Sequence, residues 1–205
     1  KTLYQATRER ADKPKRKRWA WESAQLHDYV LFMANTGLRP DEAARLEFRD
    51  VTIVEDEDTG ETILEIEVRG KRGVGYCKST AGAVIPFRRL KDRLRLGAKP
   101  KPTEKLFPKG HREMFNIILN ELNLKFDREG SRRTSYSLRH TYICLRLMEG
   151  ADIYQIAKNC RTSVEMIENY YAAHIKTSLD AAAINTRRKK KCKKAKKPLL
   201  EDDDL

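Results

Sequence analysis

Three short stretches hold residues that could grip or attack a phosphate, and a fourth is a basic turn. TGLRPDE, Thr36 to Glu42, sets Arg39 between a helix-ending glycine and a helix-opening proline, with Glu42 three residues on. At such a corner a side chain can point into a cleft, and a carboxylate beside a guanidinium preorganises it to hold phosphate oxygens in pairs. The plain alternative is a surface Arg–Glu pair of little energetic weight. SLRHT, Ser137 to Thr141, puts Arg139 and His140 side by side at the expected start of a helix near Leu138, a place where anions bind. RGKRGVG, Arg69 to Gly75, reads as a tight basic turn carrying Lys71. SVEMIENYYAAH, Ser163 to His174, aligns Val164, Ile167 and Tyr171 on one helical face and ends on Tyr170 and Tyr171. Those two are either packing aromatics or a nucleophilic phenol.

Other chemistries are absent from the pattern. CKST, Cys77 to Thr80, has the Lys-Ser pair of a phosphate loop but lacks glycine at Arg72 and Cys77. None of the four cysteines, Cys77, Cys144, Cys160 and Cys192, stands in a CxxC spacing, so they read as free thiols of a reducing, cytoplasmic compartment.

The elements that must position these residues follow from periodicity. The run from Trp21 to Gly37 places Leu26, Tyr29, Val30 and Met33 on one face of an amphipathic helix. Pro40 opens a second, PDEAARLEF. VTIVED and ETILEIEV flank the turn-like DEDTG as a hairpin, and AVIPF reads as a third short strand. FRRLKDRLRL, REMFNIILNELNL, the segment from Leu138, DIYQIAKN, SVEMIENYY and LDAAAIN read as helices. The expected class is α+β, mainly α, with a small antiparallel sheet. In the segment from Leu138, Leu138, Ile143, Leu145 and Leu147 should fill the core.

The 205 residues suit one ordinary domain, and 40% hydrophobic content allows a real core beside 36% charged residues. The net charge of +13 points to a polyanionic partner, nucleic acid before membrane. Arg187 to Lys197 is almost wholly basic and is followed by acids, which reads as a disordered tail over 187–205; the remainder stays basic without it. Residues 1–18 read as a basic linker and 19–186 as the folded domain.

Taken together and in this order, TGLRPDE, a Gly-Lys turn in a hairpin region, YSLRHT and a tyrosine about thirty residues later resemble the catalytic domain of the tyrosine recombinases, the phage integrase family. The resemblance runs from about Trp19 to His174. It implies site-specific DNA integration or recombination by cleavage and rejoining of strands through a 3′-phosphotyrosyl intermediate. Arg39 and Arg139 would hold the non-bridging oxygens of the scissile phosphate. Lys71, with Lys78 a weaker candidate, would protonate the leaving 5′ oxygen, and Tyr171 would attack. Glu42 would brace Arg39. His140 would be structural or phosphate-bracing. Tyr136 and Thr162 stand where the family usually has histidine, and histidine or tryptophan. In the family the latter position follows a glycine in a short turn, here filled by CRTS, Cys160 to Ser163. Neither ATP nor metal nor another cofactor is implied. The implied partners are double-stranded DNA attachment sites, three further protomers in a tetramer on two duplexes, and, where used, accessory DNA-bending proteins. Residues 1–18 would join a missing N-terminal DNA-binding region. The alternative is a recombinase-derived DNA-binding module that no longer cleaves.

Overall fold

The computed structural model describes residues 2–70, 73–93 and 100–171. These belong to one compact unit, Lys1–Ile175; a second unit, Lys176–Leu205, lies outside the described residues, as do Lys71, His174, the basic–acidic tail and the LDAAAIN segment.

A central helix organises the domain. Helix α2, Ala20–Thr36, ends as expected at Gly37, which takes the left-handed conformation (φ 66°) while its N–H donates to Met33 O at 3.1 Å. Its burial, however, is not confined to one stripe. Ser23, Gln25, His27, Asp28 and Thr36 are buried along with Leu26, Tyr29, Val30, Phe32 and Met33. A helix packed on all sides must satisfy its polar groups internally. Gln25 Nε2 donates to Leu106 O at 3.2 Å, and Asp28 is clasped by Arg89 and Arg93.

Residues 1–18, read as a basic linker, carry regular structure. Thr2–Asp12 form helix α1 and Lys17–Trp19 a 3₁₀ turn. Helix α1 packs on α2, where Thr7 Oγ1 and His27 Nδ1 are 3.0 Å apart and the Tyr4 and His27 rings lie 5.4 Å apart. Lys15 meets Glu121 at 2.7 Å, and Arg10 reaches the same carboxylate.

After α2 the chain turns through Leu38 and Arg39 into α3, Pro40–Ala43, much shorter than the PDEAARLEF helix expected; Phe48 instead sits in the 3₁₀ turn Phe48–Asp50. Strands β1 (Val51–Glu55), β2 (Thr62–Gly70) and β3 (Gly73–Lys78) form an antiparallel sheet in the order β1-β2-β3. The β1–β2 hairpin pairs Val51 with Ile66 and Glu55 with Thr62. The third strand is not AVIPF, as expected, but the glycine-rich segment expected to be a turn: Gly70 pairs with Gly73 and Glu65 with Lys78. AVIPF belongs to a 3₁₀ turn, Ala81–Ala83, and helix α4, Val84–Arg93. Pro86 falls in the first turn of that helix, where a missing N–H costs nothing.

Helix α5, Arg112–Glu121, and helix α6, Tyr136–Met148, follow. Short helices α7, Ile153–Asn159, and α8, Val164–Tyr171, close the described chain. The main core gathers α2, the sheet, α4 and α5 around Phe32, Met33, Leu64 and Ile66. A smaller core joins α6, α7 and α8 through Tyr142, Ile143, Ile156, Ile167 and Tyr171. Of the α6 leucines expected inside, Leu138 is buried, Leu147 is partly buried and Leu145 is exposed; Tyr142 takes the inward position.

Candidate active site

The site lies on the seam between the two cores. Pro40 pushes the residue before it into extended backbone, and Arg39 accordingly has φ −72°, ψ 146°. That corner aims its guanidinium back across the seam. Nη1 donates to Glu42 Oε1 at 3.0 Å and Nη2 to Arg161 O at 2.9 Å. Glu42 is itself buried, and its Oε2 accepts the Arg39 backbone N–H at 3.0 Å. Desolvation works against charge on Arg39. Attraction and hydrogen bonding to Glu42, with Tyr136 adding, outweigh it and raise the pKa further. Glu42 thus holds Arg39 through both its guanidinium and its backbone N–H.

Helix α6 starts at Tyr136, so Arg139 stands one turn inside rather than at the terminus. What it offers is its own charge, not the free N–H groups of a helix end. It is 2% exposed. Nη1 donates to Gly37 O and Nη2 to Cys160 O, both at 2.6 Å. One arginine thus joins the end of α2, in the main core, to the end of α7, in the smaller one. Cations in such settings need full hydrogen bonding, and a guanidinium has five N–H groups to give.

Aromatic rings complete the wall. His140 lies between Tyr136 and Tyr171, with ring centroids 5.1 and 5.2 Å away. Burial, then the positive charge of Arg139, lower its pKa, so the imidazole is neutral at pH 7. Tyr171 is buried beside Ile167 on the inner face of α8, whereas Tyr170 is 60% exposed. Burial pushes the Tyr171 phenol up to about 12; Arg139 pulls the other way. Arg39, Glu42, Arg139, His140, Tyr136 and Tyr171 are thereby brought to one place. Thr162 lies in the adjoining α7–α8 turn, its N–H donating to Ala157 O at 2.9 Å. Lys71 lies outside the described residues. Lys78, the weaker candidate, is engaged elsewhere: Nζ meets Asp56 at 2.9 Å and Glu65 at 3.8 Å.

Two contributors escaped the sequence reading. Asn159 bridges α7 to β3, accepting from Lys78 N at 2.7 Å and donating to Lys78 O at 2.9 Å. Arg161 supplies the carbonyl that receives Arg39, and its side chain donates to Val68 O and Gly73 O at 3.0 and 2.7 Å. Most of their partners are backbone atoms, which no side-chain motif marks.

The same arrangement of elements occurs in known structures. XerA recombinase superposes with a TM-score of 0.59 at 19% identity, over 89% of this chain and 60% of XerA. The catalytic domain of bacteriophage HP1 integrase gives 0.58 at 18% identity, over 89% of each chain. This chain has the fold of a tyrosine recombinase catalytic domain. XerH site-specific recombinase, in a pre-cleavage complex with its difH substrate, also matches, with a TM-score of 0.59 at 17% identity over 88% of this chain. The chain spans 50% of the length of XerH. No family model and no curated protein matches the sequence. The recombinase fold, mainly helical with a three-stranded antiparallel sheet, agrees with the class expected from the residue pattern. Among the described residues, no helix is long and apolar enough to cross a membrane.

Proposed function

We propose that this domain cleaves and rejoins DNA strands with Tyr171 as nucleophile, as a site-specific recombinase of the integrase type. The observation that carries the reading is the pair of guanidiniums from Arg39 and Arg139 on the adjacent carbonyls of Arg161 and Cys160, with Tyr171 packed on His140 beside them. Residues 100 apart in the chain thus put two fixed positive charges and a phenol at one seam.

The chemistry is a transesterification. The Tyr171 phenol gives up its proton to solvent as its oxygen bonds to phosphorus, and the bond from phosphorus to the 5′ oxygen breaks. Arg39 and Arg139 neutralise the non-bridging oxygens as charge builds in the transition state. Lys71 gives the proton to the leaving 5′ oxygen. The phosphotyrosyl ester keeps the bond energy, so the reverse attack by a 5′ hydroxyl rejoins the strand. Tyr136 and Thr162 offer hydroxyl donors where histidine would be usual. The solved relatives include a complex with a recombination substrate, which supports double-stranded DNA as partner. Four protomers would act on two duplexes, helped where needed by DNA-bending proteins. The net charge of +13 supports DNA affinity that falls steeply with salt.

A non-cleaving DNA-binding module is the second reading, favoured by the buried, strongly protonated phenol of Tyr171. Incubation with nicked suicide duplexes followed by a denaturing gel separates the two. A covalent protein–DNA band supports cleavage; salt-sensitive binding without a band supports the module.

A further inference from the structure

The turn from α7 to α8 is built around an unusual residue. Arg161 has φ 54°, the left-handed region where glycine or asparagine is easily accommodated and a long side chain is strained. Glycine there would make the same turn and offer the same carbonyl to Arg39. What glycine could not supply is the side chain, and that side chain is neither idle nor solvated. It is 9% exposed. Nη1 donates to Val68 O at 3.0 Å and Nη2 to Gly73 O at 2.7 Å, one carbonyl on each strand of the β2–β3 hairpin. The same Nη1 lies 3.5 Å from Glu42 Oε1, the carboxylate that braces Arg39.

The hairpin is shaped to receive it. A Cβ on Gly75 would stand 3.1 Å from Arg161 Nε and 3.4 Å from its guanidinium carbon. A Cβ on Gly70 would stand 3.3 Å from Glu42 Oε1. The two glycines thus leave the space that the guanidinium and its partner carboxylate fill. Arg161 therefore touches three parts at once: Arg39 through its carbonyl, Glu42 through charge, and both hairpin strands through a forked pair of hydrogen bonds.

We propose that Arg161 is a positioning residue that locks the end of the β2–β3 hairpin onto the Arg39–Glu42 pocket, so that leaving-group protonation from the hairpin stays in register with the phosphate. This rests on the cleavage reading above. Arg161 itself touches no reacting atom; it acts through the hairpin. Its loss should fall on departure of the 5′ oxygen rather than on phosphate capture.

The test uses Arg161→Asn, which keeps a left-handed turn and removes the fork, in the full chain. The first readout is hydrogen exchange. The amides of Arg69, Gly70, Gly73 and Val74 should exchange at least about tenfold faster in the variant while those of α2 are unchanged. Unchanged hairpin exchange would overturn the proposal whatever the catalytic result. The second readout is adduct formation on nicked duplexes with randomised flanks about one fixed linkage. That linkage is either an ordinary phosphodiester or one with sulfur in place of the bridging 5′ oxygen. A thiolate leaves without a proton, so the sulfur linkage bypasses the acid. Arg161→Asn should slow the oxygen substrate by about 10- to 100-fold and the sulfur substrate by less than about threefold. Equal slowing of both would overturn the role in leaving-group departure. If the unaltered chain forms an adduct with neither substrate, the cleavage reading fails, and hydrogen exchange alone decides whether Arg161 locks the hairpin.

Discussion

Arg39 and Arg139 donate to the carbonyls of neighbouring residues, Arg161 at 2.9 Å and Cys160 at 2.6 Å. The α7–α8 turn is thus a ruler that sets the spacing of two guanidiniums contributed by distant parts of the chain. The two differ in their second anchor. Arg39 leans on a carboxylate, Glu42, whereas Arg139 leans on another carbonyl, Gly37 O at 2.6 Å.

Arg139 holds the seam, and in the proposed cleavage it would hold the phosphate too. Arg139→Ala should therefore cost stability, on the order of 2–4 kcal/mol, because two buried carbonyls lose their donor. Arg139→Lys keeps a charge but cannot fork, and should recover part of that stability. Both should reduce strand cleavage by about a thousandfold or more. Chemical denaturation and adduct-formation rates measure the two effects separately. Arg139→Lys cleaving at the unaltered rate would contradict the phosphate role.

Gly37 is required twice. Its φ of 66° suits glycine, and a Cβ there would stand 2.8 Å from Tyr142 Cε1 and 3.0 Å from Cys160 Sγ. Gly37→Ala should destabilise the fold by more than about 2 kcal/mol, through strain and the collision with the Tyr142 ring. It should also weaken cleavage by displacing the carbonyl that anchors Arg139. Urea denaturation gives the first, and adduct yield at saturating DNA the second.

His111 stands against Tyr29 and Phe107, with ring centroids 4.8 and 6.0 Å away. Burial lowers its pKa from 6.5 to about 4, and its Nε2 has no hydrogen-bond partner among the described residues. Its folded pKa is depressed, so its contribution is present above pH 6.5. It is lost as pH falls toward 4, where the unfolded chain takes the proton first. The loss is on the order of 2–3 kcal/mol. His27, also depressed chiefly by burial, acts in the same direction. Melting temperatures from pH 7.5 to 4.5 should fall more steeply for the unaltered chain than for His111→Gln. Parallel curves would contradict this.

The sequence reading reached what side-chain pattern can carry. The flanking strands VTIVE and TILEIEV marked the β1–β2 hairpin, the i, i+3, i+4 spacing marked α2, and one apolar face marked α8. Strand β3 was hidden because Gly73 and Gly75 carry no side chains to alternate; Gly73 takes a left-handed backbone (φ 78°), and Gly75 leaves room for Arg161. AVIPF looked like a strand through its branched and aromatic residues, yet tertiary packing makes Val84, Phe87 and Leu90 one buried helical face. Helix α1 was masked by its charges, of which Arg10 pairs with Glu121 on α5, joined there by Lys15 just past the helix end. In the site, Arg39, Glu42 and Arg139 were each ambiguous alone and stood out because TGLRPDE and YSLRHT, taken in order with the other motifs, resemble a known family. Arg161 and Asn159 did not, since each works on backbone carbonyls or amides far away in the chain.

The choice between adjacent tyrosines carries the central claim. Tyr171 faces inward against His140, and Tyr170 is 60% exposed. The decisive measurement is peptide mapping of a trapped protein–DNA adduct by mass spectrometry, in the unaltered chain and in Tyr171→Phe. The account predicts a nucleotide mass on Tyr171 alone and no adduct from Tyr171→Phe, which should still bind DNA. An adduct that persists in Tyr171→Phe, with the nucleotide on Tyr170, would contradict it.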